Sequence, residues 1–298
     1  MIHTVILNPY SNRWQARGQR PAIEAALTAA GLNFKLIETE GPRHATRLAR
    51  EAVVAGSTSI IAAGGDGLVS EVVNGIMQAG SNGPLGILPI GTGNDFAEML
   101  GIPTELTAAA RTIAAGHTRR VDLGVVNDHY FDNNSGVGME PIVTLLNIRL
   151  TWLRGVIRYV VAAVLAILQR PTWHMRLEWA NGRYDGLITL VSVGNTRRTG
   201  GVFYMTPNAI PDDGLFDFIF GSTMSRRRLL QLLPLAQKGA HIHEPEIHMH
   251  RTPFLHVMTR PGTPIQADGE IIATDATTID YRIVPGALQV LVPVAQSE

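Results

Sequence analysis

Two apolar runs of buried-strand length, Ile60-Ile61-Ala62-Ala63 and Leu85-Gly86-Ile87-Leu88-Pro89-Ile90, each end in a glycine turn that carries an acid. The turns read Gly64-Gly65-Asp66-Gly67 and Gly91-Thr92-Gly93-Asn94-Asp95-Phe96. Between them Val69, Val72, Val73, Ile76 and Met77 recur at helical spacing, which predicts a helix over residues 68–79. A glycine turn after a buried strand lets a phosphate come close to the backbone, where exposed N–H groups bind anions. An acid in the same turn can hold Mg²⁺ beside those phosphates, directly or through water. One such turn is common in α/β proteins; two in succession point to a nucleotide phosphate site.

The flanking chain fits that reading. Residues 4–8 form a short apolar strand that ends in the polar turn Asn8-Pro9-Tyr10-Ser11-Asn12. Residues 21–30 read as an alanine-rich helix stopped by Gly31, residues 34–38 as a strand with Thr39 at its end, and 45–55 as a helix closed by Gly56. Strands alternating with helices predict a parallel sheet covered by helices, with ligands collecting beyond the carboxyl ends of its strands. The first turn, Thr39 and both glycine turns all stand at such ends. After a helix over 106–115 and a strand opening at Arg120-Val121-Asp122-Leu123-Gly124, the texture changes. Strand-like runs at 184–194, 215–220, 253–259, 277–283 and 288–292 lack regular intervening helices and suit an antiparallel β domain. Helices are expected at 151–168 and 225–238. The reading divides the chain into an α/β domain over 1–124, a β domain over 125–284, and a last strand, 285–298, returning to the first.

Composition removes several alternatives. Zero cysteines exclude disulfides, cysteine–zinc sites and thiol catalysis. A formal net charge of zero gives no global attraction to nucleic acid. The start, Met1 to Leu7, enters a strand without a basic leader, so a cytoplasmic protein without a signal peptide is expected. The apolar stretch 156–168 contains Arg158 and is short of the ~20 residues that a membrane span needs, so it reads as a buried or interfacial helix.

With these motifs in place the chain resembles the diacylglycerol kinase catalytic-domain family, in its compact bacterial lipid-kinase form within the NAD kinase/diacylglycerol kinase-like superfamily. Besides the two glycine turns, Asn8-Pro9-Tyr10-Ser11, Val121-Asp122-Leu123-Gly124, Pro207-Asn208-Ala209-Ile210-Pro211-Asp212-Asp213-Gly214-Leu215 and Ala267-Asp268-Gly269-Glu270 match family segments in the family's order. The resemblance implies an N-terminal α/β nucleotide-binding domain, a C-terminal β-sandwich domain, and transfer of the ATP γ-phosphate to a lipid hydroxyl. By match of position, Asn8, Pro9, Tyr10, Ser11, Asn12, Thr39, Gly64, Gly65, Asp66, Gly67, Leu68, Val69, Ser70 and Thr92 would line the nucleotide. Asp66, Asp95 and Asp122 would organise the catalytic Mg²⁺. Asp213, with the carbonyls of Ile210 and Leu215, would hold a second Mg²⁺, and Glu270 would be the general base. The chain departs from the family pattern at Leu68, Ser70 and Asn12, where Thr, Asn and Gly are usual. The lost hydroxyl at position 68 is worth ~1 kcal/mol of nucleotide binding.

Taken without the family, Asp268-Gly269 is a hairpin turn signal. His241-Ile242-His243-Glu244 with His248-Met249-His250 invites a zinc reading, but histidine alternating with apolar residues equally describes a strand face, and that reading is preferred. Arg149, Arg154, Arg158, Arg170, Arg176, Arg183, Arg197 and Arg198 face only Glu178 and Asp185 in the same stretch, and Ser225-Arg226-Arg227-Arg228 precedes a leucine-rich helix. Basic charge beside Trp152 and Tyr159 favours peripheral contact with an anionic membrane surface. Monomer and homodimer both remain open. The competing readings are an NAD kinase and a nucleotide-dependent membrane-binding protein without kinase activity.

Overall fold

The computed structural model describes residues 2–11, 15–80, 83–150, 152–153, 155–169 and 171–294, with backbone alone at 15–17 and 155–156. The expected nucleotide residue Asn12, together with Arg154 and Arg170, lies outside the described residues. Contacts divide the chain into two units, Met1–Val121 with Gly286–Glu298, and Asp122–Pro285.

In the first unit β1 (His3–Leu7), β2 (Phe34–Glu38), β3 (Ile60–Gly64) and β4 (Leu85–Pro89) alternate with α1 (Gln15–Ala29), α2 (His44–Val54) and α3 (Asp66–Gln78). The sheet runs β2-β1-β3-β4, all parallel. β3 and β4 are buried throughout, as strands covered on both faces must be, which is why they read as unbroken apolar runs. Val5, Leu7, Ile61, Ala63 and Leu88 pack with Ile23, Leu27 and Ile113 in one core. Then follow α4 (Asp95–Met99) and α5 (Leu106–Ala115). The Glu105 carboxylate caps α5 by accepting from Thr107 and Ala108 N–H, and Gly116 ends it in the left-handed region, at φ 73°. Val290 pairs in parallel with Leu85, so the end of the chain extends this sheet.

Two helices begin earlier than expected. α1 continues through Pro21 rather than starting there; the ring removes one hydrogen bond and bends a helix without having to end it. α3 starts at Asp66 rather than Leu68, which puts the acid of the glycine turn in the first helical turn.

The second unit holds β6 (His129–Phe131), β7 (Asn134–Gly138), β8 (Trp173–Trp179), β9 (Gly182–Gly194), β10 (Phe216–Ser222), β11 (Ile247–Thr252) and β12 (Phe254–Ala267). β5 (Thr118–Val126) leads into it from the first unit and pairs with β6, and β13 (Glu270–Leu291) leads back out. Its pairings are antiparallel: β11-β10-β9-β7-β12-β13, with β8 also joining β9 to β12. One core gathers Phe131, Val137, Leu177, Phe216, Phe218 and Tyr281 between strands. A second packs α6 (Met139–Arg149), α7 (Gly155–Gln169) and α8 (Arg226–Ala236) against Leu190 and Ile219. The runs expected at 277–283 and 288–292 belong to one strand, β13. Thr274, Asp275, Thr277 and Thr278 are exposed, so no apolar alternation marks its early part, and pairing with β12 carries it instead. No helix among the described residues is long and apolar enough to cross a membrane.

Candidate active site

The glycine turns after β3 and β4 lie side by side because their strands are parallel neighbours, with Gly64 opposite Pro89. Ile90 N–H donates to Gly64 O at 3.0 Å. A Cβ added at Gly91 would stand 2.3 Å from Gly65 Cα, so the two backbones touch at a distance no side chain permits. Asn94, in the left-handed region at φ 55°, locks the second turn: its Oδ1 accepts from Gly91 N–H at 3.0 Å and its Nδ2 donates to Gly91 O at 3.1 Å. Phe96 N–H donates to Asp66 Oδ1 at 3.3 Å, which ties the acid of the first turn to the helix that follows the second. Asp95 is buried. α3 begins after Gly65 without a side-chain cap, and the N–H groups of Leu68 and Val69 donate to Gly65 O.

The other expected nucleotide residues share this edge. Asn8 N–H donates to Ala63 O and Thr39 N–H to Leu7 O, which lays the ends of β1 and β2 beside that of β3. Asn8 Oδ1 accepts from Tyr10 N–H at 2.9 Å and closes a local turn. Tyr10 and Thr92 are exposed, whereas Pro9, Thr39, Leu68, Val69 and Ser70 are buried. The side chain of Leu68 packs onto Gly64. The side chain at position 68 is thus spent on packing, and its N–H donates to Gly65 O at 2.9 Å.

Asp122 and Glu270 belong to the second unit, whereas Asp66 and Asp95 belong to the first. The Asp122 carboxylate accepts from Gly214 N–H at 2.7 Å and its own N–H donates to Pro211 O, which fastens the 211–214 loop to β5. Glu270 opens β13 directly after a two-residue hairpin turn. Asp268 at φ 47° and Gly269 at φ 82° give that turn the doubly left-handed form that Asp-Gly favours. The hairpin signal and the expected general base thus stand next to each other in the chain. Asp268 accepts from the N–H groups of Asp132, Asn133 and Asn134, each at 3.0 Å, and so pins the turn to the segment before β7.

Sequence reasoning missed Glu140 and Gln266. Glu140 Oε1 accepts from Asn134 Nδ2 at 2.6 Å and Gln266 Nε2 at 3.2 Å, and Gln266 Oε1 accepts from Gly269 N–H at 2.9 Å. Burial pushes the Glu140 carboxyl up to about 7. A lone acid in the apolar stretch Gly138-Met139-Glu140-Pro141-Ile142-Val143 is the signal that could have found it. Glu140 also lines a cavity of about 90 Å³ walled by Met139, Val143, Leu190, Phe203 and Met224.

Asp66 and Asp95 are hard oxygen donors at one edge and fit Mg²⁺. Asp213 fits a cation less well. One carboxylate oxygen accepts from Leu215 N–H at 3.1 Å and the other pairs with the Arg251 guanidinium. Arg251 Nε also lies 3.5 Å from Asp217 Oδ2, without hydrogen-bond geometry, and burial pushes the Asp217 carboxyl up to about 6. The histidines disperse. His241 is buried in a 3-10 turn, while His248 and His250 stack on Phe220, with His250 also against Trp179. The basic stretch is less free than its composition suggests, because Arg228 pairs with Glu244 and Glu246, Arg176 with Glu178, and Arg158 donates to Asn147.

A parallel sheet with phosphate-type glycine turns, joined to an antiparallel β unit carrying a carboxylate hairpin, defines a two-domain kinase of the NAD kinase-like class. Residues 3–126 match the diacylglycerol kinase catalytic domain, and residues 134–292 match the YegS C-terminal NAD kinase beta sandwich-like domain. The chain is 34% identical over 298 residues to a diacylglycerol kinase of Mycobacterium tuberculosis, covering 97% of this chain and 94% of that one. It is 30% identical over 267 residues to a diacylglycerol kinase of Staphylococcus saprophyticus, covering 89% and 88%. In fold it resembles a crystal structure from Bacillus anthracis str. Sterne with TM-score 0.83 at 24% identity, covering 99% of this chain and 95% of that one. A diacylglycerol kinase structure from the same organism gives 0.75 at 21%, covering 99% and 97%. The chain belongs to the bacterial diacylglycerol kinase family.

Proposed function

We propose that this kinase transfers the γ-phosphate of ATP to the hydroxyl of a lipid, diacylglycerol or a close relative. The observation that carries the reading is the backbone contact of the two glycine turns, with Asp66 in the first turn of α3 tied to Phe96 N–H. Phosphoryl transfer needs positioning and charge neutralisation more than covalent help. The turn amides and the start of α3 hold phosphate oxygens, and Asp66 and Asp95, with Asp122, hold Mg²⁺. When bound, that ion neutralises charge on the transferring phosphoryl group. Glu270 takes the proton of the attacking hydroxyl. A second Mg²⁺ at Asp213, with the carbonyls of Ile210 and Leu215, has to displace Arg251 from the same carboxylate.

The second unit supports a lipid acceptor. The cavity beside Glu140 is almost wholly apolar and suits an alkyl chain. Trp152, Ile157 and Leu230 are exposed on or next to its helices, with Arg226 and Arg227 exposed at the start of α8. Exposed apolar side chains and exposed arginines on or next to these helices favour peripheral contact with an anionic membrane. The test is transfer of labelled γ-phosphate from ATP to a panel of mixed-micelle lipids, with NAD as a parallel acceptor. Label in a lipid supports the reading. Label in NAD alone, or in nothing, overturns it.

A further inference from the structure

Glu270 stands next to Gly269, and the Gly269 N–H is held by the Oε1 of Gln266 at 2.9 Å. A glutamine amide can turn over and exchange its oxygen for its nitrogen; what forbids that here is the far side of the group. Gln266 is 1% exposed, and its Nε2 donates to Glu140 Oε1 at 3.2 Å. The same oxygen takes Asn134 Nδ2 at 2.6 Å. Turned over, Gln266 would set its oxygen against the oxygen of Glu140 in a buried contact and its NH₂ against the N–H of Gly269. An acid buried at the start of α6, among the apolar side chains of Met139, Pro141 and Val143, is an expensive choice for packing alone.

We propose that Glu140 is a positioning residue of the transfer step: it fixes the amide of Gln266, which fixes Gly269 and hence where the Glu270 carboxylate stands. The inference rests on Glu270 as the general base. Because Glu140 also forms part of the cavity wall, the residue that orients the base touches the space assigned to the alkyl chain.

The experiment compares Glu140→Gln, Glu140→Met, Gln266→Met and Glu270→Gln with wild type, each normalised to its folded fraction. Glu140→Gln keeps a carbonyl oxygen for both donors and stays within about threefold of the wild-type kcat. Glu140→Met and Gln266→Met remove the acceptor or the amide and lower kcat by about tenfold or more, since ~1 Å of misplacement can cost 10²-fold. The KM for ATP does not move. Amide exchange at Gly269 and Glu270 speeds up in the two methionine variants and not in Glu140→Gln. A purely structural role would lower thermal stability and leave the kcat of the folded fraction intact. If wild type transfers phosphate, Glu270→Gln does not, and both methionine variants match wild type, the positioning role is wrong and the base assignment survives. If wild type transfers to no lipid, the base assignment fails, and amide exchange alone decides whether Glu140 holds the turn.

Discussion

Replacing Asp268 by alanine removes a carboxylate on which three main-chain donors converge. The N–H groups of Asp132, Asn133 and Asn134 each reach it at 3.0 Å, and those residues are 0%, 4% and 3% exposed. A hydrogen bond to a charged acceptor contributes ~1.5–3 kcal/mol, and a buried donor left without a partner costs about 1–3 kcal/mol. The three share one carboxylate and relax together, so the sum overstates the loss; about 3–5 kcal/mol is expected. At ~2–4 °C per kcal/mol for a unit of this size, the melting temperature falls by on the order of 10 °C. Asparagine tolerates the left-handed backbone of Asp268, at φ 47°, and keeps one acceptor oxygen. Asp268→Asn should therefore lose about half as much. Thermal and urea unfolding, followed through the transition of the second unit, measure both. A loss of less than ~1 kcal/mol in Asp268→Ala would refute the reasoning, because it would mean that the three amides find water or other partners without cost.

Burial raises the Glu140 carboxyl from 4.5 to about 7, so the folded form keeps its proton at a pH where the unfolded chain has lost it. The group thus removes stability as pH climbs through that window, by ~3 kcal/mol in full. Between pH 5 and pH 8 wild type should lose about 2.5 kcal/mol more stability than Glu140→Gln in denaturant unfolding, and equal losses would contradict the burial argument. Gly91→Ala drives a methyl into Gly65 Cα and should weaken nucleotide binding by about tenfold or more in equilibrium titration, and binding equal to wild type would contradict the close approach of the two turns. Arg251→Gln frees the Asp213 carboxylate and should raise Mg²⁺-dependent stabilisation of the second unit, read as the shift in melting temperature with added Mg²⁺. An unchanged shift would mean that Arg251 and a cation do not compete.

The parts of this fold legible in the sequence are those whose burial is two-sided or whose turns need special residues. β3 and β4 announce themselves because both faces are covered, and the glycine turns because no other residue allows the Gly65–Gly91 approach. β7, Asn134-Ser135-Gly136-Val137-Gly138, carries neither alternation nor bulk, and α6 follows it with an acid and a proline in its first turn, so neither gave a periodic signal. β12 and β13 are long strands interrupted by Pro261-Gly262 and Pro285-Gly286, which read as loop when pairing partners are unknown. Among the candidate site residues, Asp66 and Asp95 stand out through their glycines, and Glu270 through the Asp-Gly turn together with the family likeness. Glu140 and Gln266 are joined across 126 positions of sequence, and no local pattern encodes such a pair. Arginine partners are hidden for the same reason: Arg228 finds Glu244 and Glu246 only once α8 and the segment before β11 are folded.

The most direct test of the account is labelled γ-phosphate transfer from ATP to diacylglycerol in mixed micelles, wild type beside Glu270→Gln, with ATP binding measured on both. Transfer by wild type, loss of at least 10²-fold in the variant, and equal ATP affinity are expected of a carboxylate that acts on the acceptor hydroxyl and not on the nucleotide. Undiminished transfer by Glu270→Gln would contradict it.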